Sequence, residues 1–181
     1  MGTRKKEYII EFNKLRMGPN EFSFVLDEKF LSDFEYSPFK EAKVEVTLLM
    51  NKAENLYDLK FNFIGIVSSI CDTCADEIDI PINKDFEMLM KMSEISNYED
   101  FEIVYVARTE IEFDLTQYLY ESLLLAVPQR KNCNELAKTK SCNPEVIKLL
   151  AQTEEGEVNS IDGESEDKDD PRWNKLKDLL N

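Results

Sequence analysis

Cys71-Asp72-Thr73-Cys74 sets two thiols three positions apart, between a long apolar run and the next strand-like run, where a turn presents both sulfurs to one point. Two thiolates at this spacing supply half of a tetrahedral zinc site. The other half would come from Cys133 and Cys142, which have eight residues between them instead of a local finger's about two to four. The fold would have to bridge the 58 residues that separate the two pairs. One structural zinc held by Cys71, Cys74, Cys133 and Cys142 is one reading, and four reduced thiols with no ligand is the other. A thioredoxin-like redox pair is set aside, because no βαβ context and no helix after the first cysteine is in view.

Little other chemistry is available. The 181 residues include no His, so there is no Ser-His or Cys-His dyad and no imidazole ligand. Five Gly, scattered at 2, 18, 65, 156 and 163, leave no phosphate-cradling loop and no dinucleotide fingerprint. Glu110 with Glu112, and Asp72 with Asp76, are carboxylate pairs, but in a chain with 37 acidic residues they read as solvated faces. Phe22, Phe24, Phe30, Phe34, Tyr36, Phe39, Tyr118 and Tyr120 could stack on bases; with few basic residues between them they read as core.

The elements that must position the cysteines follow from periodicity. Tyr8 to Leu15 and Glu21 to Leu26 read as a pair of strands around the turn Met17-Gly18-Pro19-Asn20. Lys43 to Met50 and Leu56 to Ile70 read as a hairpin, with Val44, Val46 and Leu48 on one face and Lys43, Glu45 and Thr47 on the other. Gly65 marks a bulge or a close backbone approach. Glu77 to Ile82, Asp85 to Met92 and Phe101 to Phe113 continue the strands, with the acidic Glu94 to Asp100 as a loop. At Asp114 the period changes to helical, with Asp114 as N-cap, Gln117 reaching back to it, and Leu115, Tyr118, Leu119, Leu123 and Ala126 as the stripe up to Pro128. A second helix starts near Asn143 with Pro144 at its first position, and a third at Asp170-Pro171 with Trp173, Leu176, Leu179 and Leu180. The expectation is an α+β fold: a mainly antiparallel sheet or partly closed barrel in the first two thirds, followed by two to three helices. Residues 1–152 form the domain, 153–170 an acidic flexible linker, and 171–181 a short amphipathic helix that folds back or docks on a partner.

The formal charge is -15, from 22 basic and 37 acidic residues, so a general nucleic-acid coat is disfavoured. Nine acidic residues against Lys168 between Thr153 and Asp170 account for about half the excess. Gln129 to Lys148 is the exception at +3, and its Arg130, Lys131, Lys138 and Lys140 form a candidate RNA or acidic-partner patch. No apolar stretch is long enough for a membrane span, and the alternating Glu7 to Phe12 is no signal core. A cytoplasmic protein with reduced thiols is expected.

Several features then fall in a particular order. They are the apolar strand ending in Cys71-Asp72-Thr73-Cys74, the passage Ile111-Glu112-Phe113-Asp114-Leu115 into a helix that closes Glu121-Ser122-Leu123-Leu124-Leu125-Ala126-Val127-Pro128, then Cys133 and Cys142, then Asp170-Pro171-Arg172-Trp173. Over roughly Val44 to the carboxyl end this order resembles the YceD-like family, the large ribosomal RNA subunit accumulation proteins. Many members of that family hold the second cysteine group in a tighter cluster with Gly, where this chain has Asn134 to Ser141. The resemblance implies a non-enzymatic intracellular factor for large-subunit ribosomal RNA, with a large-subunit precursor, ribosomal RNA or a basic ribosomal protein as partner. Arg130, Lys131, Lys138, Lys140, Arg172 and Trp173 are the candidate partner-binding residues. The alternative is a zinc- or thiol-responsive binding protein built on the four cysteines. A nuclease would need carboxylates gathered around a divalent ion, which spacing alone does not reveal.

Overall fold

The computed structural model describes residues 6–97, 103–136 and 140–158. The chain divides into two compact units, Met1–Cys142 and Asn143–Asn181. The first contains β1 (Ile9–Glu11), β2 (Gly18–Leu26), α1 (Glu28–Leu31), β3 (Glu41–Lys52), β4 (Leu56–Ile70), β5 (Glu77–Ser93), β6 (Ile103–Ala107), β7 (Glu112–Asp114), α2 (Thr116–Ala126) and α3 (Cys133–Leu136). Within the second lies α4 (Pro144–Val158).

The architecture is α+β. A five-stranded sheet runs in the order β2-β3-β4-β5-β6 and does not close into a barrel. Its centre is the meander β3-β4-β5, antiparallel throughout, with Val46 opposite Phe63 and Ile66 opposite Pro81. Strict alternation builds it: along β3 every second residue from Ala42 to Met50 is buried and each of their neighbours from Glu41 to Asn51 is exposed. The buried face continues through Leu59, Phe61 and Phe63 of β4 and Ile78, Ile80 and Ile82 of β5. Leu115, Leu119 and Leu123 at and along α2 are fully buried, and Phe61 meets the Tyr118 ring at 4.8 Å. Tyr8 packs edge-on against Phe30 at 5.0 Å and donates its hydroxyl to Val25 O. Phe34 stacks on Tyr120, whose hydroxyl donates to Tyr36 O.

Several expectations are corrected by tertiary pairing. Tyr8–Leu15 and Glu21–Leu26 do not pair with each other: β1 pairs with β7 and β2 with β3. The first of those segments is only three strand residues between two single 3-10 turns, whereas β2 matches nine consecutive residues of β3. Glu77–Ile82 and Asp85–Met92 are one continuous strand, because the long β4 offers partners from Ile70 back to Leu56. Pro81 is tolerated inside it because β6 pairs only with Leu89–Ser93, leaving that half of β5 at the sheet edge. Phe101–Phe113 divides into β6 and β7 at a turn in which Glu110 N–H donates to Ala107 O, and β6 runs parallel to β5. Gly65 is a close approach and no bulge: the β3–β4 register runs through it unbroken, and a Cβ there would lie 2.2 Å from Lys43 O.

The reading of the aromatics as core holds for Phe24, Phe30, Phe39 and Tyr120; Tyr36 is exposed. α2 begins two residues after Asp114, which still closes the β1–β7 pair and accepts from Thr116 N–H at 2.9 Å; Gln117 turns forward to Glu121 instead of back to a cap. The helix ends where Val127 turns extended ahead of Pro128. The short α1 is marked in the sequence only by its Asp27 cap, which accepts from Phe30 N–H at 2.9 Å.

In the second unit, Asn143 caps α4, its Oδ1 accepting from Glu145 N–H at 3.0 Å, with Pro144 at the first helical position. The helix extends through Val158, into the acidic stretch that begins at Thr153. The expected helix 171–181, with Arg172 and Trp173, lies outside the described residues, as does Lys138.

Candidate metal centre

Two loops make the site. β4 and β5 are the first and second arms of a hairpin whose last pair is Ile70 opposite Glu77, and the six residues between them form the turn Cys71–Asp76. Cys71 N–H donates to Asp76 O at 2.8 Å and Ala75 N–H to Cys71 O at 3.0 Å, and Ala75 takes the left-handed φ of 59° that folds the turn back. Thr73 N–H points at Cys71 Sγ, 3.4 Å away. The second loop follows α2 and contains α3, which begins at Cys133.

Polar contacts fasten one loop to the other. Asp72 N–H donates to Lys131 O at 2.7 Å, and Lys131 N–H returns to Asp72 Oδ2 at 2.6 Å. Asn132 is buried; its Nδ2 donates to Thr73 Oγ1 at 3.1 Å and its Oδ1 accepts from Asn134 N–H at 2.9 Å. Asn134 Oδ1 in turn accepts from Cys142 N–H at 3.2 Å, which closes the eight-residue gap between the last two cysteines. The Asn residues flanking Cys133 were a legible sign of such side-chain-to-backbone turns.

All four sulfurs meet. Cys71, Cys74, Cys133 and Cys142 are buried, and their Sγ atoms all lie within 4.8 Å of one another. Cys71 faces Cys142 at 3.8 Å, and Cys74 faces Cys133 at 3.6 Å. A zinc ion with Zn–S of about 2.3 Å at the centre of a regular tetrahedron puts the sulfurs about 3.8 Å apart. The donor set therefore fits a tetrahedral ion in spacing, burial and softness.

The electrostatics prepare for charge. Burial alone would raise the Cys71 thiol, but the N–H groups of Cys74, Thr73 and Cys133 directed at its sulfur outweigh that and bring it down to about 6. Burial and the surrounding thiols push Cys133 up to about 12, and burial with the Cys71 and Cys74 sulfurs raises Cys142. Four sulfurs this close cannot all ionise without a cation among them.

The remaining candidate residues divide. Lys131 reaches Asp72 at 3.7 Å and Lys140 reaches Asp76 at 3.5 Å, and Lys140 also donates to Glu77 O at 3.0 Å. These lysines thus tie the second loop to the hairpin turn, and the acidic pair Asp72 and Asp76 holds them. Arg130 is exposed on the loop after α2. Glu110 and Glu112 stand apart from the cysteine site, in the turn before β7 and on β7 itself. Among the described residues no helix is long and apolar enough to cross a membrane.

Compared with known families, the chain matches the family described as "Large ribosomal RNA subunit accumulation protein YceD" over residues 59–180, a span from β4 onward that includes all four cysteines. No curated protein and no solved structure matches it.

Proposed function

The chain belongs to the YceD family, and from that membership we propose that it is a non-enzymatic ribosome biogenesis factor, supporting large-subunit ribosomal RNA accumulation by binding an assembly intermediate or a basic ribosomal protein. The observation that carries this reading is the family match across residues 59–180. A net charge of -15 favours a cationic protein partner; in the basic segment Lys131 and Lys140 are paired with Asp72 and Asp76, which leaves the exposed Arg130 as the RNA-facing alternative. The work is done in the reducing cytoplasm, where the four thiols stay free to ligate.

Cys71, Cys74, Cys133 and Cys142 hold one structural zinc in this proposal, supported by sulfur separations of 3.6 and 3.8 Å. Bound there, the ion supplies a cross-link between two distant loops; four thiolates leave no open position for a reacting water. The meeting of four buried thiols within 4.8 Å of one another supports a second reading, in which metal or thiol state regulates partner binding.

Sedimentation of a tagged copy through a sucrose gradient at low salt, with crosslinking and identification of bound RNA and protein, tests the assembly role. Co-migration with large-subunit precursors is expected, with Cys71→Ser and Trp173→Ala each reducing it. Free protein only, with no precursor RNA recovered, rejects the assembly role and leaves the metal- or thiol-responsive reading to be tested by metal analysis.

A further inference from the structure

The outer face of the sheet contains a groove that the cysteine centre does not use. It is an open cavity of about 640 Å³ between the start of α1 and the first residues of β3, floored by the outward side of β4. Val25 and Ile66 line it, 52% and 50% exposed on a face where alternation puts mostly polar residues. Around this apolar floor stand Asp27 and Glu28 at one end and Glu41 and Asp79 at the other, four carboxylates against Lys29 and Lys43. The register fixes the second pair: Glu41 and Asp79 both lie opposite Ser68, one strand to either side, so their backbones are about 10 Å apart.

That layout selects a ligand class. Carboxylates spread over the start of α1 and the two strands β3 and β5 do not converge on one ion; among the described residues, the cysteines are the only group of three or more Cys, Asp or Glu close enough to share one. The apolar floor offers nothing to a phosphate, and the surplus of negative charge repels one. A chain with cationic side chains spaced to meet the rim, and an apolar side chain between them for the floor, satisfies both parts.

We propose that this groove docks a basic segment of a partner protein in which Lys or Arg alternates with an apolar residue. That the partner is a ribosomal protein rests on the assembly reading; the groove's preference for such a segment does not.

The full chain, titrated with a short labelled peptide alternating Arg with Leu and followed by fluorescence anisotropy, tests it. The double variant Glu41→Gln with Asp79→Asn should weaken binding about tenfold. Asp85→Asn with Glu87→Gln removes the same charge further along β5 and should leave binding unchanged. Ile66→Ala, at an exposed position that does not threaten the core, should weaken the Arg-Leu peptide and not an Arg-only peptide. Equal losses in the two double variants, no saturable binding, or tighter binding of single-stranded RNA at the same residues would each overturn the groove. Peptide binding by a protein that never sediments with precursors would remove the assembly role and leave the groove standing. Sedimentation with precursors by a protein that binds no peptide would do the reverse.

Discussion

At Gly65 of β4 the backbone of β3 leaves no room for a side chain. A Cβ at this position would lie 2.2 Å from Lys43 O and 2.6 Å from Val44 Cα, both backbone atoms that cannot rotate away. Gly65→Ala must therefore push β3 off β4 at the centre of the meander. The expected loss is about 3 kcal/mol, at the upper end for overpacking, read as a lower urea midpoint with an unchanged slope. An unchanged midpoint would mean that the two strands can part there at no cost. Asn132 matters at the same scale for a different reason. Its buried amide joins the Thr73 turn to the start of α3, and no property of an isolated Asn announces that.

At the scale of elements, the entry to α2 decides how the helix meets the sheet. Asp114 does two jobs at once, ending β7 opposite Ile9 and accepting from Thr116 N–H at 2.9 Å. Asp114→Ala should cost about 1 kcal/mol in thermal or urea unfolding, the usual worth of one lost hydrogen bond. Gln117→Ala removes an exposed contact to Glu121 and should cost below about 0.5 kcal/mol. Equal effects would restore the reciprocal cap that the Asp114–Gln117 spacing suggests. The helical period, the Pro128 stop and the Pro144 start are all legible in the chain, since each depends on neighbours within a turn. β1, β6 and β7 are not. Three to five residues long, they acquire their identity from partners: Ile10 of β1 from Phe113 of β7, and Tyr105 of β6 from Lys91 of β5.

For the molecule as a whole, the four free cysteines bring the β4–β5 turn together with the segment that follows α2, through facing pairs 59 and 71 residues apart along the chain. Phe61, Phe63 and Leu119 are fully buried, and the ring contacts of Phe61 with Tyr118 and of Phe63 with Phe86 involve none of the four cysteines. Chelation of the purified protein should therefore release about one zinc per chain and raise hydrogen exchange at Cys71–Asp76 and Asn132–Leu136, while amides in the middle of β3 and β4 keep their protection. Uniform loss of protection would make the metal a requirement for the whole fold, and no metal in the native protein would return the four sulfurs to the role of buried thiols.

By itself the sequence determined what local order can specify. The switch from a period of two to a helical period around Asp114, the β3–β4 hairpin, and the absence of His and of phosphate-binding glycines follow from residue type and near spacing. It also supplied the four thiols, and left open whether the two pairs meet. Tertiary structure decided that they do, that Lys131 and Lys140 are held by Asp72 and Asp76, and that an apolar, acid-rimmed groove opens on the far side of the sheet. The physical reason is that each of these joins side chains from separate strands or loops, and which strand lies beside which depends on how the whole buried face closes. Alternation says that a residue points inward; it does not say what will be waiting there.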